Sequence, residues 1–245
     1  MSDQIIDGLQ YHIRCKKGDV GRYVLLPGDP GRVAKIAAYL TDAKQVAHNR
    51  EYLVYTGSIN GVPVSVCSTG IGCPSTAIAV EELVRCGADT FIRVGTSGMM
   101  QEHMQPGDLV IATAAIRDEG TSRQYLPLEF PAVADPMIVV SFMEACQHHN
   151  IRYHTGVVHS KDSFYGEVEA ARMPMAEQLQ ARWSAWVAGG ALCSEMEAAT
   201  LFVVSSVLGK RAGALMLAEA HDGMDNLCRI AVAGIQKLIE RDAKD

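Results

Sequence analysis

Short apolar runs that stop at glycine-rich loops constrain this chain more than any other feature of it. Arg22-Tyr23-Val24-Leu25-Leu26-Pro27 ends at Gly28-Asp29-Pro30. The run Pro63 to Ser68 ends at Thr69-Gly70-Ile71-Gly72, and Thr90 to Val94 ends at Gly95-Thr96-Ser97-Gly98. Runs this short and apolar, bounded by turn residues, predict buried strands. Helices are predicted after the first two loops. Pro30 suits a first helical turn and is followed by Val33, Ile36, Ala37 and Leu40 at helical spacing, and a second helix is expected from Pro74 through Cys86. Further strands are expected at Asp108 to Thr113 and Thr155 to Ser160, and long helices from about Cys193 to Leu208 and Asn226 to Arg241. The segment from Glu167 to Gly190 is the least regular and reads as a flap or insertion. Strands alternating with helices imply a parallel or mixed sheet covered by helices, with ligands beyond the carboxyl ends of the strands.

A length of 245 residues with 48% apolar content suits one α/β domain spanning 1–245. The net charge of −6 comes without a basic block, which argues against nucleic acid or an anionic membrane as partner. The chain has no apolar run of membrane-spanning length, about 18 residues, and MSDQIIDGLQ lacks a secretory pattern; a cytoplasmic protein is expected. Cysteines at 15, 67, 73, 86, 146, 193 and 228 form no C-x-x-C pair and have no histidine at zinc-ligand spacing. They are expected to be reduced thiols with no catalytic or ligand role.

Three segments combine backbone freedom with groups suited to an anion or a sugar. In Gly28-Asp29-Pro30-Gly31-Arg32 the chain can approach a ligand closely, with helix amides and Arg32 beside it. Arg93 lies in the apolar strand Phe91-Ile92-Arg93-Val94, where a guanidinium is costly unless it meets an anion. Either a bound phosphate or an internal salt bridge to Glu81 or Glu82 would satisfy it. Ser194-Glu195-Met196-Glu197 opens an apolar stretch. Its carboxylates either serve a helix capped by Ser194 or accept hydrogen bonds from vicinal hydroxyls. Neither a mononucleotide P-loop nor a G-x-G-x-x-G fingerprint is present.

Taken in order, Gly28-Asp29-Pro30 with Arg32, Asn49-Arg50-Glu51-Tyr52, Ser68-Thr69-Gly70-Ile71-Gly72 with Pro74-Ser75-Thr76, Arg93-Val94-Gly95-Thr96 and Ser194-Glu195-Met196-Glu197 resemble the nucleoside phosphorylase family, and within it the uridine phosphorylase branch. The resemblance implies a three-layer α/β/α sandwich with a mixed, partly barrel-like central sheet, assembled as a hexamer of three dimers. It implies a pentosyltransferase of nucleoside catabolism and pyrimidine salvage that converts uridine and phosphate to uracil and ribose 1-phosphate. Gly28, Arg32, Arg93 and Thr96 match the phosphate site, and Arg50 an arginine reaching the neighbouring subunit's phosphate. Met196, Glu197 and the adjacent Glu195 match the ribose site, and His12 a histidine lent across the dimer to the ribose. Ser97, Gly98 and Phe164 match the base site, while Arg93 and Glu197 take the catalytic roles. Glu51, Ile71 and Ser75 match a monovalent-cation site, occupied by potassium in some members, at the dimer interface. No organic cofactor is implied.

Two places depart from the family pattern. Where uridine phosphorylases read uracil with a glutamine and an arginine, this chain has Glu167, with Arg172 as the candidate arginine. An ionised Glu167 accepts from a ring N–H but cannot donate to a carbonyl. The loop after Ala220 is short, and Asp222 is either a turn residue or the acid that meets a purine in purine-specific members. A purine nucleoside phosphorylase and a nucleoside-binding homologue without turnover therefore stand as alternatives. Hydrolysis is disfavoured because Arg32, Arg50 and Arg93 would then lack a ligand.

Overall fold

The computed structural model describes residues 5–219 and 223–244. In chain order the elements are β1 (Ile5–Ile6), β2 (Leu9–Gln10), β3 (Tyr23–Leu26), α1 (Val33–Ala37), β4 (Thr41–Asn49), β5 (Tyr52–Ile59), β6 (Val62–Cys67), α2 (Cys73–Arg85), β7 (Thr90–Met99) and β8 (Leu109–Asp118). They continue with β9 (Ala132–Val133), α3 (Pro136–His148), β10 (Tyr153–Lys161), α4 (Phe164–Val168), α5 (Ala176–Ala188), β11 (Cys193–Glu195), α6 (Ala198–Val207), β12 (Arg211–Ala218) and α7 (Met224–Asp242).

Apart from the β1–β2 hairpin, the strands form one mixed sheet in the order β11-β10-β8-β12-β7-β3-β6-β5-β4, with β9 on β8. β11 also pairs antiparallel with β7, through Cys193 opposite Met99 and Ser194 opposite Gly98. That pairing closes β7, β12, β8, β10 and β11 into a five-stranded barrel, from which β3, β6, β5 and β4 extend as a wing.

Side-chain alternation divides the core in two. Tyr23 and Leu25 of β3, Ile92 and Val94 of β7, and Leu215 and Leu217 of β12 pack against α1, α3 and α7. Their neighbours Val24, Leu26, Phe91, Ala214 and Met216 pack against α2 and α6. The result is the expected helix–sheet–helix sandwich with a partly barrel-like sheet. The helices form for local reasons as well. α7 buries Leu227, Ile230, Ala231, Ile235 and Leu238 along one stripe. In α3, the Asp135 side chain accepts from the backbone N–H of Met137 at 2.9 Å and of Ile138 at 3.1 Å, with Pro136 next to the cap.

Several sequence expectations change. The strands expected over Thr90 to Val94 and Asp108 to Thr113 run on to Met99 and Asp118. The helix expected from Cys193 starts only at Ala198, because Cys193–Glu195 is drawn into the barrel as β11. The helix after Pro30 is a single 3-10 turn, Pro30–Arg32, followed by the five residues of α1. The segment 167–190 is largely helical; α5 has 13 residues and buries none of its side chains, which is why its sequence shows no core-facing stripe. All seven cysteines are free and buried, and burial pushes every one of their thiols up, so each is held as the unreactive thiol.

Candidate active site

The carboxyl ends of β3, β7, β10 and β11 converge on a cavity of about 640 Å³. Gly28 and Arg32 line it from the loop after β3, Arg93 and Thr96 to Gly98 from β7, and Met196 and Glu197 from the β11–α6 junction. Phe164 and Glu167 of α4 lie at the other end, with Lys161 from the last position of β10.

Arg93 organises the floor. Its Nε donates to Glu195 Oε2 at 2.6 Å, and its Nη2 lies 2.6 Å from Glu197 Oε2. The internal salt bridge considered from sequence therefore exists, but with Glu195 and Glu197 as partners. Glu82 binds the His12 backbone and ring instead. Burial alone would lower the Arg93 pKa, yet Glu197 and Glu195 outweigh it and hold the value above the ordinary one. Glu195 also caps α6, accepting from the backbone N–H of Glu197 at 2.8 Å and of Ala198 at 3.0 Å, and from the Ser160 hydroxyl. The capping expected of Ser194 thus falls to Glu195, because Ser194 is a barrel residue aimed elsewhere. Glu197 accepts from the Gly72 N–H. Its pKa is raised, first by burial and also by Glu195, against the opposing pull of Arg93.

The Arg93 guanidinium folds back over its own strand. A Cβ on Gly95 would sit 2.7 Å from the guanidinium carbon, so position 95 admits only glycine while Arg93 keeps this pose. Arg32 Nη2 donates to Thr96 Oγ1 at 3.3 Å, which brings a second guanidinium to the same end of the cavity. The turn amide expected to face an anion is engaged already, since Gly31 N–H donates to Asp29 Oδ1 at 2.8 Å.

At the opposite end Lys161, Ser194 and Glu167 form a linked set. Lys161 Nζ donates to Ser194 Oγ at 2.7 Å and lies 2.9 Å from Glu167 Oε2, and the Ser194 hydroxyl donates to that same oxygen. His159 stands behind them, its Nδ1 3.1 Å from Ser194 Oγ and its Nε2 3.1 Å from Asp118 Oδ2, with its ring against Trp186. Sequence reasoning missed Lys161, Ser194 and His159 as a group. The signal available was a lysine directly before an aspartate-serine turn, which has no meaning until β10 and β11 pair. Ser97 lines the cavity but donates its hydroxyl to the Leu217 carbonyl. Phe164 is half exposed on the cavity wall.

The remaining expected site residues lie elsewhere. Arg172 is exposed, paired with Glu169 over the Tyr165 ring, outside the cavity. Arg50 is exposed at the β4–β5 turn, where its φ is +53°. His12 is held to Glu82 on the far side of α2, and Asn49 Nδ2 donates to its carbonyl at 2.7 Å, which sets His12 and Arg50 on one patch away from their own cavity. Ser75 Oγ donates to the Ile71 carbonyl at 3.3 Å, and Glu51 packs on Gly70 beside them, so the three expected cation-site residues are neighbours. Asp222 lies outside the described residues.

A strand-end cavity with two guanidiniums at one end, glutamate carboxyl groups in the middle and an exposed aromatic ring at the other is the site of a protein that handles an anion, a polyol and a planar group together. Sequence comparison agrees with that class. Residues 22–239 match the model of the phosphorylase superfamily, and the chain belongs to that family. It is 48% identical to a uridine phosphorylase of Treponema pallidum (strain Nichols), over 96% of each chain. It is 40% identical to a guanosine phosphorylase of Halorubrum lacusprofundi, over 95% of this chain and 88% of that one. The crystal structure of a uridine phosphorylase from Vibrio fischeri superposes with a TM-score of 0.86 at 33% identity, covering 98% of this chain and all of the other.

Proposed function

We propose that the protein is a pentosyltransferase of uridine phosphorylase type, converting uridine and phosphate to uracil and ribose 1-phosphate. The observation that carries this reading is the Arg93 hub, which joins the basic end of the cavity, where Arg32 meets Thr96, to the carboxylate that faces the sugar. Phosphate at Arg32, Thr96 and Arg93 stands below the anomeric carbon. Glu197 and Met196 hold the ribose hydroxyls, and the Glu197 charge favours the oxocarbenium-like sugar. One oxygen of hydrogen phosphate bonds to that carbon as the bond to the base nitrogen breaks, the electron pair leaves with the base, and the base nitrogen takes up the proton that hydrogen phosphate carried, giving uracil. Phosphate is already an anion, so the step needs no general base. The protein is expected to release uracil from uridine only when phosphate is present, at a rate that saturates with phosphate; phosphate-independent release followed at 290 nm would contradict this.

Each active site is completed by a second copy of the chain, in a trimer of dimers. Arg50 and His12 share one patch outside their own cavity, and Ile71, 79% exposed, stands at the cavity rim beside Glu51. Glu51, the Ile71 carbonyl and Ser75 offer oxygen donors alone, the set a hard cation such as potassium takes, and would hold it where two copies meet. Arg50→Ala and Arg93→Ala proteins are each expected to be inactive. Mixed and allowed to exchange subunits, they should regain about a quarter of wild-type activity, since half the pairs are mixed and each mixed pair has one intact site. No recovery on mixing would place Arg50 outside the shared site. The soluble-family setting supports a cytoplasmic role in pyrimidine salvage, and among the described residues no helix is long and apolar enough to cross a membrane.

A further inference from the structure

Glu167 presents a puzzle that the structure answers. A carboxylate can accept the N–H of a base but cannot donate to the carbonyl beside it, so alone it matches half of a uracil edge. Lys161 supplies what is missing. Its Nζ carries three protons, of which one goes to Ser194 Oγ at 2.7 Å and one faces Glu167 Oε2 at 2.9 Å. The third has no partner among the described residues. Glu167 is likewise half used. Lys161 and Ser194 engage its Oε2, whereas Oε1 stands 3.8 Å from the position a Cβ would take on Gly98, at the base end of the cavity. Lys161 is buried and lines the cavity beside Phe164, with Nζ 6.0 Å from the ring centroid.

We propose that Lys161 and Glu167 together form the base-reading pair, Glu167 Oε1 accepting from an imide N–H and the third Lys161 proton donating to the adjacent carbonyl. The inference rests on the phosphorylase reading and deepens it by naming the substrate class. Substrates are nucleosides whose base carries an N–H flanked by a carbonyl, uracil first and 6-oxopurines second. Cytosine and adenine present an unprotonated ring nitrogen there, so a lone pair would face the Glu167 carboxylate and an amino group the Lys161 ammonium. Both contacts are repulsive, and such mismatches discriminate strongly because the buried groups of the site are left unpaired. The pair also suits the reaction's charge flow, because the electrons that leave with uracil spread onto its carbonyl oxygens, one of which meets the ammonium.

The test measures equilibrium binding of 1-methyluracil and 1-methylcytosine by calorimetry in the presence of phosphate, the methyl group standing where the sugar does so that neither base can offer an N1–H, with uridine turnover followed separately. In the wild-type protein uracil is expected to bind more tightly than cytosine by a factor on the order of 10². Lys161→Met should cut that preference by roughly tenfold, Glu167 still rejecting the cytosine lone pair, while leaving the affinity for inorganic phosphate unchanged, and Lys161→Arg should restore part of the preference. Equal binding of the two bases by the wild type, or a preference undiminished in Lys161→Met, would overturn the assignment. A preserved uracil preference that falls in Lys161→Met, in a protein that does not cleave uridine, would support the pair and overturn the phosphorylase reading.

Discussion

Arg93→Ala is expected to remove phosphorolysis and to weaken the fold at once. Deleting one preorganised donor from a site of developing charge costs about 10²–10³-fold in kcat. Arg93 both faces the phosphate end and orients Glu197 at 2.6 Å, so the loss should reach the top of that range. Removing it also leaves Glu195 and Glu197 buried without their cation, and breaking a buried pair from one side destabilises by about 3–5 kcal/mol. Initial rates of uracil release across a phosphate series and chemical denaturation at pH 7 measure the two effects. The stability loss should shrink when Arg93→Ala is combined with Glu197→Gln, because one uncompensated charge is then gone. An Arg93→Ala protein within tenfold of wild-type kcat would remove the hub from the mechanism.

Glu197→Gln isolates the charge on the ribose side. Its shape is conserved, so the ribose contact survives while the field that favours the oxocarbenium-like sugar disappears, and kcat is expected to fall by about 10²-fold or more. Stability should move in the opposite sense. Burial and Glu195 raise the Glu197 pKa above its ordinary value of 4.5, so the folded protein keeps this proton at a pH where the unfolded chain has released it. Wild-type stability therefore falls as pH climbs from 4.5 through the raised folded value, and levels off above it. The glutamine variant lacks that slope. Its stability relative to wild type should improve across the same window, read from urea denaturation at a series of pH values. A difference that stays flat with pH would mean that Glu197 ionises alike in both states.

How far the sequence could be read depended on whether the physics was local. The strand ends at Leu26 and Cys67 were legible because an apolar run meets a glycine loop within a few residues, whereas the end expected at Val94 was not. β7 runs on to Met99, since Gly95 to Gly98 pair with β11 and β12, strands more than 90 residues away. The polar edge strand β4, Thr41–Asn49, has no buried side chain and so no alternation to read. The cap and stripe of α3 were present in Asp135-Pro136 and Ile138, Phe142 and Ala145 but were not recognised. At the site, Arg93, Glu195 and Glu197 could be named from sequence because charged residues in apolar surroundings demand partners. The identity of those partners required the β11–β7 closure. Lys161 and Ser194 carried no such signal, as a lysine at a strand end and a serine before an acidic pair are ordinary until the barrel brings them within 2.7 Å.

The closed barrel and the helical segment beyond it divide the protein's future as well as its present. Glu195 sits on a three-residue strand clamped between β10 and β7, so the carboxylate that holds Arg93 is fixed by the hydrogen bonds that also hold the fold shut. A substitution there puts folding and chemistry at risk together. α5, by contrast, buries no side chain, and it packs behind the part of the pocket that meets the base. Mutations on it are cheap in stability. A lineage built on this scaffold can therefore drift from one nucleobase to another while the phosphate and ribose chemistry stays as it was. Relatives that share so much of the chain yet differ in the base of their nucleoside are the outcome this architecture favours.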